Sequence, residues 1–177
     1  FRFPNEYGIQ KKDTVTSTVT GAGCISLCND KQTIQIVCGM FGEVYDALET
    51  DANDMGSAMV MACYRTIVQF FADWAISYQD VDHIFTGDLS SIGKALLIQM
   101  LEVDYEGIAR KLEDCGTIIY DIDNQKVFAG GSGCACSMCT LNAYILPSML
   151  EGKYQRVLVV ATGALLNPIM IQQKESI

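Results

Sequence analysis

The run Val127-Phe-Ala-Gly-Gly-Ser-Gly-Cys-Ala-Cys-Ser-Met138 constrains the fold of this chain more than any other stretch. Its three glycines, its serines and its two cysteines let backbone segments or a ligand approach closely. Residues 139–150 follow as a helix-compatible segment, and Arg156-Val-Leu-Val-Val-Ala161 reads as a short buried strand. Unpaired N–H groups at a helix start attract anions, so a pocket is expected at this turn. The same glycines are also compatible with a tight loop that seats a small helix face beneath a sheet.

The rest of the chain reads as alternating strands and helices. Residues 14–27 are rich in Val, Thr and Ile and predict a strand, interrupted at Gly21-Ala-Gly23 where another backbone or a ligand comes close. Residues 33–44 predict a second strand, hairpin-paired with the first across Asn29-Asp30-Lys31. Apolar residues at 55, 59, 62, 63, 67, 70, 71 and 74 form one stripe, which predicts a helix over 55–77 with Asp54 as its N-cap. A strand over 81–86 ends in Gly87-Asp88, and Ser90 or Ser91 caps a helix running to about Leu101. Residues 115–120 read as extended, and the helix after the glycine turn carries Pro147 in its last turns. Residues 1–12 are polar and irregular. Strands separated by helices imply α/β layers around a buried sheet.

Composition narrows the function. Half of the 177 residues are hydrophobic and 19% are charged, which excludes disorder and allows one sizeable core. No apolar run is long enough to span a bilayer. The net charge of −9, with no Lys/Arg cluster, argues against nucleic acid and against a polybasic membrane anchor. An anionic ligand would therefore need local help, from helix N-termini or from a cation that arrives with it.

The eight cysteines suggest neither a disulfide framework nor a metal centre. Cys24, Cys38, Cys63 and Cys115 stand singly in apolar or small-residue segments and are expected to be small buried hydrophobes in a reducing compartment. Cys134, Cys136 and Cys139 have a C-x-C-x-x-C spacing that is not a common zinc pattern, and on a helix only Cys136 and Cys139 share a face. No metal and no cofactor is expected. Asp121, Asp123 and Asn124 resemble the start of a calcium loop, but the required Gly and terminal Glu do not follow, so a turn is expected.

Several ordered motifs are similar to one family. Thr18-Val-Thr-Gly-Ala-Gly23, Asp54-Met-Gly-Ser-Ala58, Thr86-Gly-Asp-Leu89 and Asp114-Cys-Gly116 resemble the stage V sporulation protein AD family. So do Ala129-Gly-Gly-Ser-Gly-Cys-Ala-Cys-Ser137, Val160-Ala-Thr-Gly-Ala-Leu165, Gln172-Gln-Lys-Glu175 and the opening Phe1-Arg-Phe-Pro-Asn-Glu-Tyr7. The resemblance implies an α/β, thiolase-like layered fold, incomplete in this chain. Residues 1–50 would supply closing strands of the N-terminal half, and residues 51–177 most of the C-terminal half. It implies a non-catalytic subunit that binds dipicolinic acid, alone or as its calcium complex, in the apparatus that moves dipicolinate into the developing spore. Its partners would be other subunits of that apparatus and further copies of itself. Its place would be the cytoplasmic face of the forespore inner membrane, held peripherally.

The residues expected to meet the ligand are Gly87, Asp88, Gly131, Ser132, Gly133, Cys134 and Cys136. Asp88 either orients a ligand or cation there or merely caps the following helix. The alternative function is thiolase- or ketoacyl-synthase-type acyl transfer, which needs a thiolate beside a base or oxyanion donor. Those enzymes place a histidine after the strand equivalent to 83–86, where this chain has Gly87-Asp88. His83, the one histidine, lies several residues earlier and is expected to be a packed or surface residue.

Overall fold

The computed structural model describes residues 11–177. The opening motif Phe1–Tyr7 and most of the irregular stretch 1–12 lie outside the described residues.

Four parts of the pattern organise the fold. The apolar stripe forms helix α1, Met55–Trp74, and Asp54 caps it by accepting the Ser57 N–H. It ends three residues earlier than the stripe predicts, because Ala75 takes a left-handed conformation and closes the last turn. Strand β2, His83–Thr86, leads through Gly87-Asp88-Leu89 into helix α2, Ser90–Asp104, and strand β3, Leu112–Asp114, follows. This is a βαβ unit, and β2 and β3 pair in parallel. Strand β5, Val157–Val160, pairs in parallel on the other side of β2, giving the order β3-β2-β5. The expected α/β layering is therefore present.

Alternation along β2 separates two cores. Ile84 points into the core built with α1 and α2, which contains Ile67, Leu97, Leu101 and Leu112. Phe85 points to the opposite face, among Val19, Cys115, Cys136, Ile145 and Tyr154. Helices α1 and α2 touch closely because Gly56 and Gly93 face each other, where a Cβ on Gly56 would lie 2.6 Å from the Leu89 carbonyl. Ile67 is fully buried between these elements, so Ile67→Ala is expected to cost about 2–5 kcal/mol, read from the urea midpoint at unchanged slope.

The second face is covered by a continuous helical run. It comprises helix α4, Cys136–Thr140, a π-helical turn over Leu141–Ile145, and helix α5, Leu146–Leu150. The π turn sits just before Pro147, which has no N–H to continue the ladder.

Three expectations are corrected. Residues 14–27 contribute only strand β1, Ser17–Thr18, and it pairs in parallel with β4, Gly131–Ser132, rather than in a hairpin with 33–44. Residues 33–44 form no strand, and Ile36, Val37, Phe41 and Val44 are exposed. The strand-forming composition has no ladder partner there among the described residues, since β1 is committed to a segment more than a hundred residues away. Residues 115–120 are not extended. They begin with helix α3, Cys115–Ile118, because the Asp114 side chain accepts the Gly116 N–H and starts a turn. The glycine pair does mark a close approach: Cβ atoms on Gly21 and Gly23 would lie 2.8 Å from Cys139 Sγ and Met138 Cγ on α4.

Candidate functional site

The carboxyl ends of parallel strands are where open α/β sheets build sites, and here β2, β3 and β5 end together. Two carboxylates organise the place. Asp114, at the end of β3, is completely buried. Its Oδ2 accepts from the Leu89 N–H at 2.9 Å and lies 2.7 Å from Thr86 Oγ1, and its Oδ1 accepts from the Ser90 and Gly116 N–H groups, both at 2.9 Å. Asp114 thus satisfies the start of α2, which corrects the expectation that Ser90 or Ser91 would cap that helix. Ser90 instead adopts a left-handed φ of 63° and buries its hydroxyl without a hydrogen-bond partner.

Burial pushes the Asp114 carboxyl up to about 6, against the pull of its donors. The Thr86 hydroxyl explains how the protonated form is accommodated. It has one proton and two acceptors within reach, Asp114 Oδ2 at 2.7 Å and the Glu113 carbonyl at 3.2 Å. When Asp114 carries the proton it donates to Thr86, and Thr86 donates to Glu113.

Asp88 is the second carboxylate. It does not cap α2. Its Oδ2 accepts the Gly133 N–H at 2.9 Å, and its Oδ1 accepts the Thr162 hydroxyl at 2.8 Å. The Asp88 N–H donates back to Thr162 Oγ1 at 2.8 Å. One side chain thus clasps the β2–α2 turn, the glycine turn and the segment leaving β5. Gly87 makes this possible, since a Cβ there would sit 2.4 Å from Thr162 Oγ1.

The structure brings Gly87, Asp88, Gly133 and Cys136 together, the last through its thiol, which lies 3.7 Å from the Gly87 carbonyl. Gly131 and Ser132 lie in β4 beside β1, and Ser132 Oγ is 2.6 Å from Thr16 Oγ1. Gly131 faces side chains rather than open space, for a Cβ there would lie 2.7 Å from Ile119 Cγ2 and 2.9 Å from Val19 Cγ2. Gly133 and Cys134 are exposed at the outer lip. At Gly133 a Cβ would meet only Thr18 Cγ2, at 3.5 Å, although its φ of 102° favours glycine.

His83 and three of the cysteines are held in packing. His83 is half-buried, its Nδ1 lies 3.1 Å from the Lys111 carbonyl, and its ring stacks on Phe85 and meets Tyr154 edge-on. It is the packed histidine expected. Burial pushes the Cys63 and Cys115 thiols up to about 12 and raises Cys136 as well. Cys24 is exposed, against the expectation of a buried hydrophobe, because residues 20–31 form no element that could cover it. Cys24, Cys28 and Cys134 are therefore expected to react with iodoacetamide in the folded protein, and Cys63, Cys115 and Cys136 only after urea, as read by mass spectrometry of the peptides. Asp121 forms the expected turn, with its carboxylate accepting from Asn124. Among the described residues no group of three or more His, Cys, Asp or Glu is placed to hold a metal ion.

A cavity of about 1210 Å³ lies beneath residues 33–43, along β5, with Cys63, Ile67 and Val159 in its wall. It is apolar for most of its length and meets the clasp only at Thr162. Polar groups converge instead at Asp88 and Gly133, which makes that turn the candidate site. Sequence reasoning missed Thr162 and gave Asp114 no role. The one local signal for Asp114 was an Asp at the end of a short apolar strand, ahead of Cys-Gly, where an N-cap is common.

The fold defines a parallel α/β layer whose strand ends are tied together by two carboxylates beside a glycine turn. The stage V sporulation protein AD (SpoVAD) profile matches residues 1–177, and the chain belongs to that family. It is 50% identical over 177 residues to the stage V sporulation protein AD of Bacillus subtilis (strain 168), an alignment covering 100% of this chain and 52% of that protein. The chain thus spans about half the length of the curated relative it matches. It is a bacterial sporulation protein, and among the described residues no helix is long and apolar enough to cross a membrane.

Proposed function

We propose that this chain is part of a non-catalytic subunit that binds dipicolinate, alone or as its calcium complex, for transport into the developing spore. The observation that carries the reading is that the turn already holds a carboxylate. The Gly133 N–H and the Thr162 hydroxyl converge on the two oxygens of Asp88, so the geometry fits a planar carboxylate ligand. Gly133 and Cys134 lie open at the lip, where a ligand would arrive. Membership of the sporulation family supplies the biological setting.

Acyl transfer is the weaker reading. Cys134 is exposed, and the Cys136 thiol is buried against the Gly87 carbonyl, where burial favours its protonated form. A nucleophile needs the thiolate and a base within reach. The thiolase-like arrangement, peripheral attachment at the forespore membrane, and contact with further copies and other subunits are part of the same proposal.

Calorimetric titration of dipicolinate, with and without calcium, tests it alongside an acyl-CoA turnover assay. Saturable dipicolinate binding without turnover is expected. Turnover of an acyl-CoA, or no dipicolinate binding in either condition, would sink the reading.

A further inference from the structure

We propose that Asp88 is an internal competitor: its carboxylate occupies the place of the ligand's carboxylate, and a ligand enters only by displacing it. The inference rests on the binding reading above and adds its regulation. Both donors that would receive a ligand carboxylate are already engaged, Gly133 N–H on Asp88 Oδ2 and Thr162 Oγ1 on Asp88 Oδ1. An entering anion must break both bonds and meet the Asp88 charge a few ångströms away, where two like charges repel strongly.

The release is structurally possible. Asp88 is only half-buried, Gly133 beside it is exposed, and a Cβ on Gly133 would touch nothing nearer than Thr18 Cγ2 at 3.5 Å. Lys94, on α2, is already paired with Glu113 at 2.7 Å. Thr162 keeps its bond from the Asp88 N–H when the side chain leaves, so the turn need not unfold. Asp88 therefore selects for a carboxylate ligand whose charge is neutralised on arrival, as by a bound divalent cation, over the same ligand as a free anion.

Asp88→Asn isolates the charge. Its amide oxygen can accept the Gly133 N–H and its amide nitrogen can donate to Thr162 Oγ1, so the clasp geometry is retained. Dipicolinate is titrated into wild-type and variant protein in EDTA and again in calcium. In EDTA the variant is expected to bind at least tenfold more tightly, and calcium should tighten the wild type more than the variant. Equal or weaker binding by the variant in EDTA overturns the competitor role, while saturable wild-type binding leaves the ligand reading standing.

A second readout keeps the two ideas separable if neither protein binds dipicolinate. Acetate is titrated while the Gly133 amide signal is followed by nuclear magnetic resonance, in wild type, Asp88→Asn and Asp88→Ala. The signal is expected to move at a severalfold lower acetate concentration in the variants. An equal response in all three proteins, or no response in any, overturns the competitor role. Circular dichroism confirms that each variant is folded, and the Ala variant serves if the Asn variant is not.

Discussion

Asp114→Ala is expected to abolish cooperative unfolding or to cost at least about 4 kcal/mol, and Asp114→Asn about 1–3 kcal/mol. The reason is the number of buried donors aimed at this one side chain. Removing it leaves the N–H groups of Leu89, Ser90 and Gly116 without an acceptor in a place water does not reach. An amide replaces one oxygen with an NH2 group. Turned toward Thr86 Oγ1, it keeps that bond and both bonds to the other oxygen, and sets only the Leu89 N–H against a donor. Urea unfolding followed by circular dichroism checks both costs. Asn as damaging as Ala would show that the carboxyl is held by something other than this donor set.

The same residue predicts a pH dependence. Burial raises the folded-state carboxyl from 3.8 to about 6, so between these values the folded chain holds a proton that the unfolded chain has released. The stability this brings is fully present below about pH 4 and is lost as pH rises through about 6. Its upper size is roughly 3 kcal/mol, at 1.36 kcal/mol per tenfold change in proton affinity. Asp82 and Glu102 are held below the usual carboxylate range by backbone N–H donors, so their contributions are lost only at lower pH. Urea midpoints at pH 5 and pH 7.5 should therefore show the wild type more stable at pH 5, and Asp114→Asn should flatten the difference. A wild-type midpoint independent of pH across this window would count against the raised carboxyl.

Gly116→Ala is expected to cost more than about 3 kcal/mol. Its Cβ would lie 2.2 Å from the Gly131 carbonyl, a backbone atom that cannot rotate away. The crossing is mutual, because a Cβ on Gly130, at φ 126°, would lie 2.6 Å from the Gly116 carbonyl. Relief must push α3 and the glycine turn apart and disturb the Gly133–Asp88 contact. Gly163→Ala is the control: nothing lies within 4 Å of its Cβ, and a change within about 0.5 kcal/mol is expected. Paired thermal melts of the two variants would show whether close approach, rather than loss of glycine as such, sets the cost.

Much of the fold was legible because local physics and tertiary packing agree there. The stripe through Met59, Cys63, Ile67 and Phe70 repeats at helical spacing, and α1 buries that face. The strand before Gly87-Asp88 and the helix after it follow from an apolar run and a turn signal. Gly21 and Gly23 announced a close approach, although the partner proved to be helix α4. Residues 33–44 carry strand composition without strand pairing, because β propensity is realised only against a neighbouring strand. Residues 115–118 look extended in composition, yet a side chain–backbone bond from Asp114 turns them into a helix.

The α/β layering, a small-residue turn ahead of a helix and the family of the chain are all legible in the amino-acid sequence. The long-range roles of Asp88 and Asp114 came from tertiary packing. Asp88 meets partners 45 and 74 residues away, and apart from the neighbouring Gly116 the donors to Asp114 come from the end of β2 and the start of α2. Residue type and local spacing specify turns and faces, because those depend on neighbours a few positions away. The partner of a buried carboxylate depends on which strand ends the sheet register brings side by side, and that is set by the pairing of β3, β2 and β5.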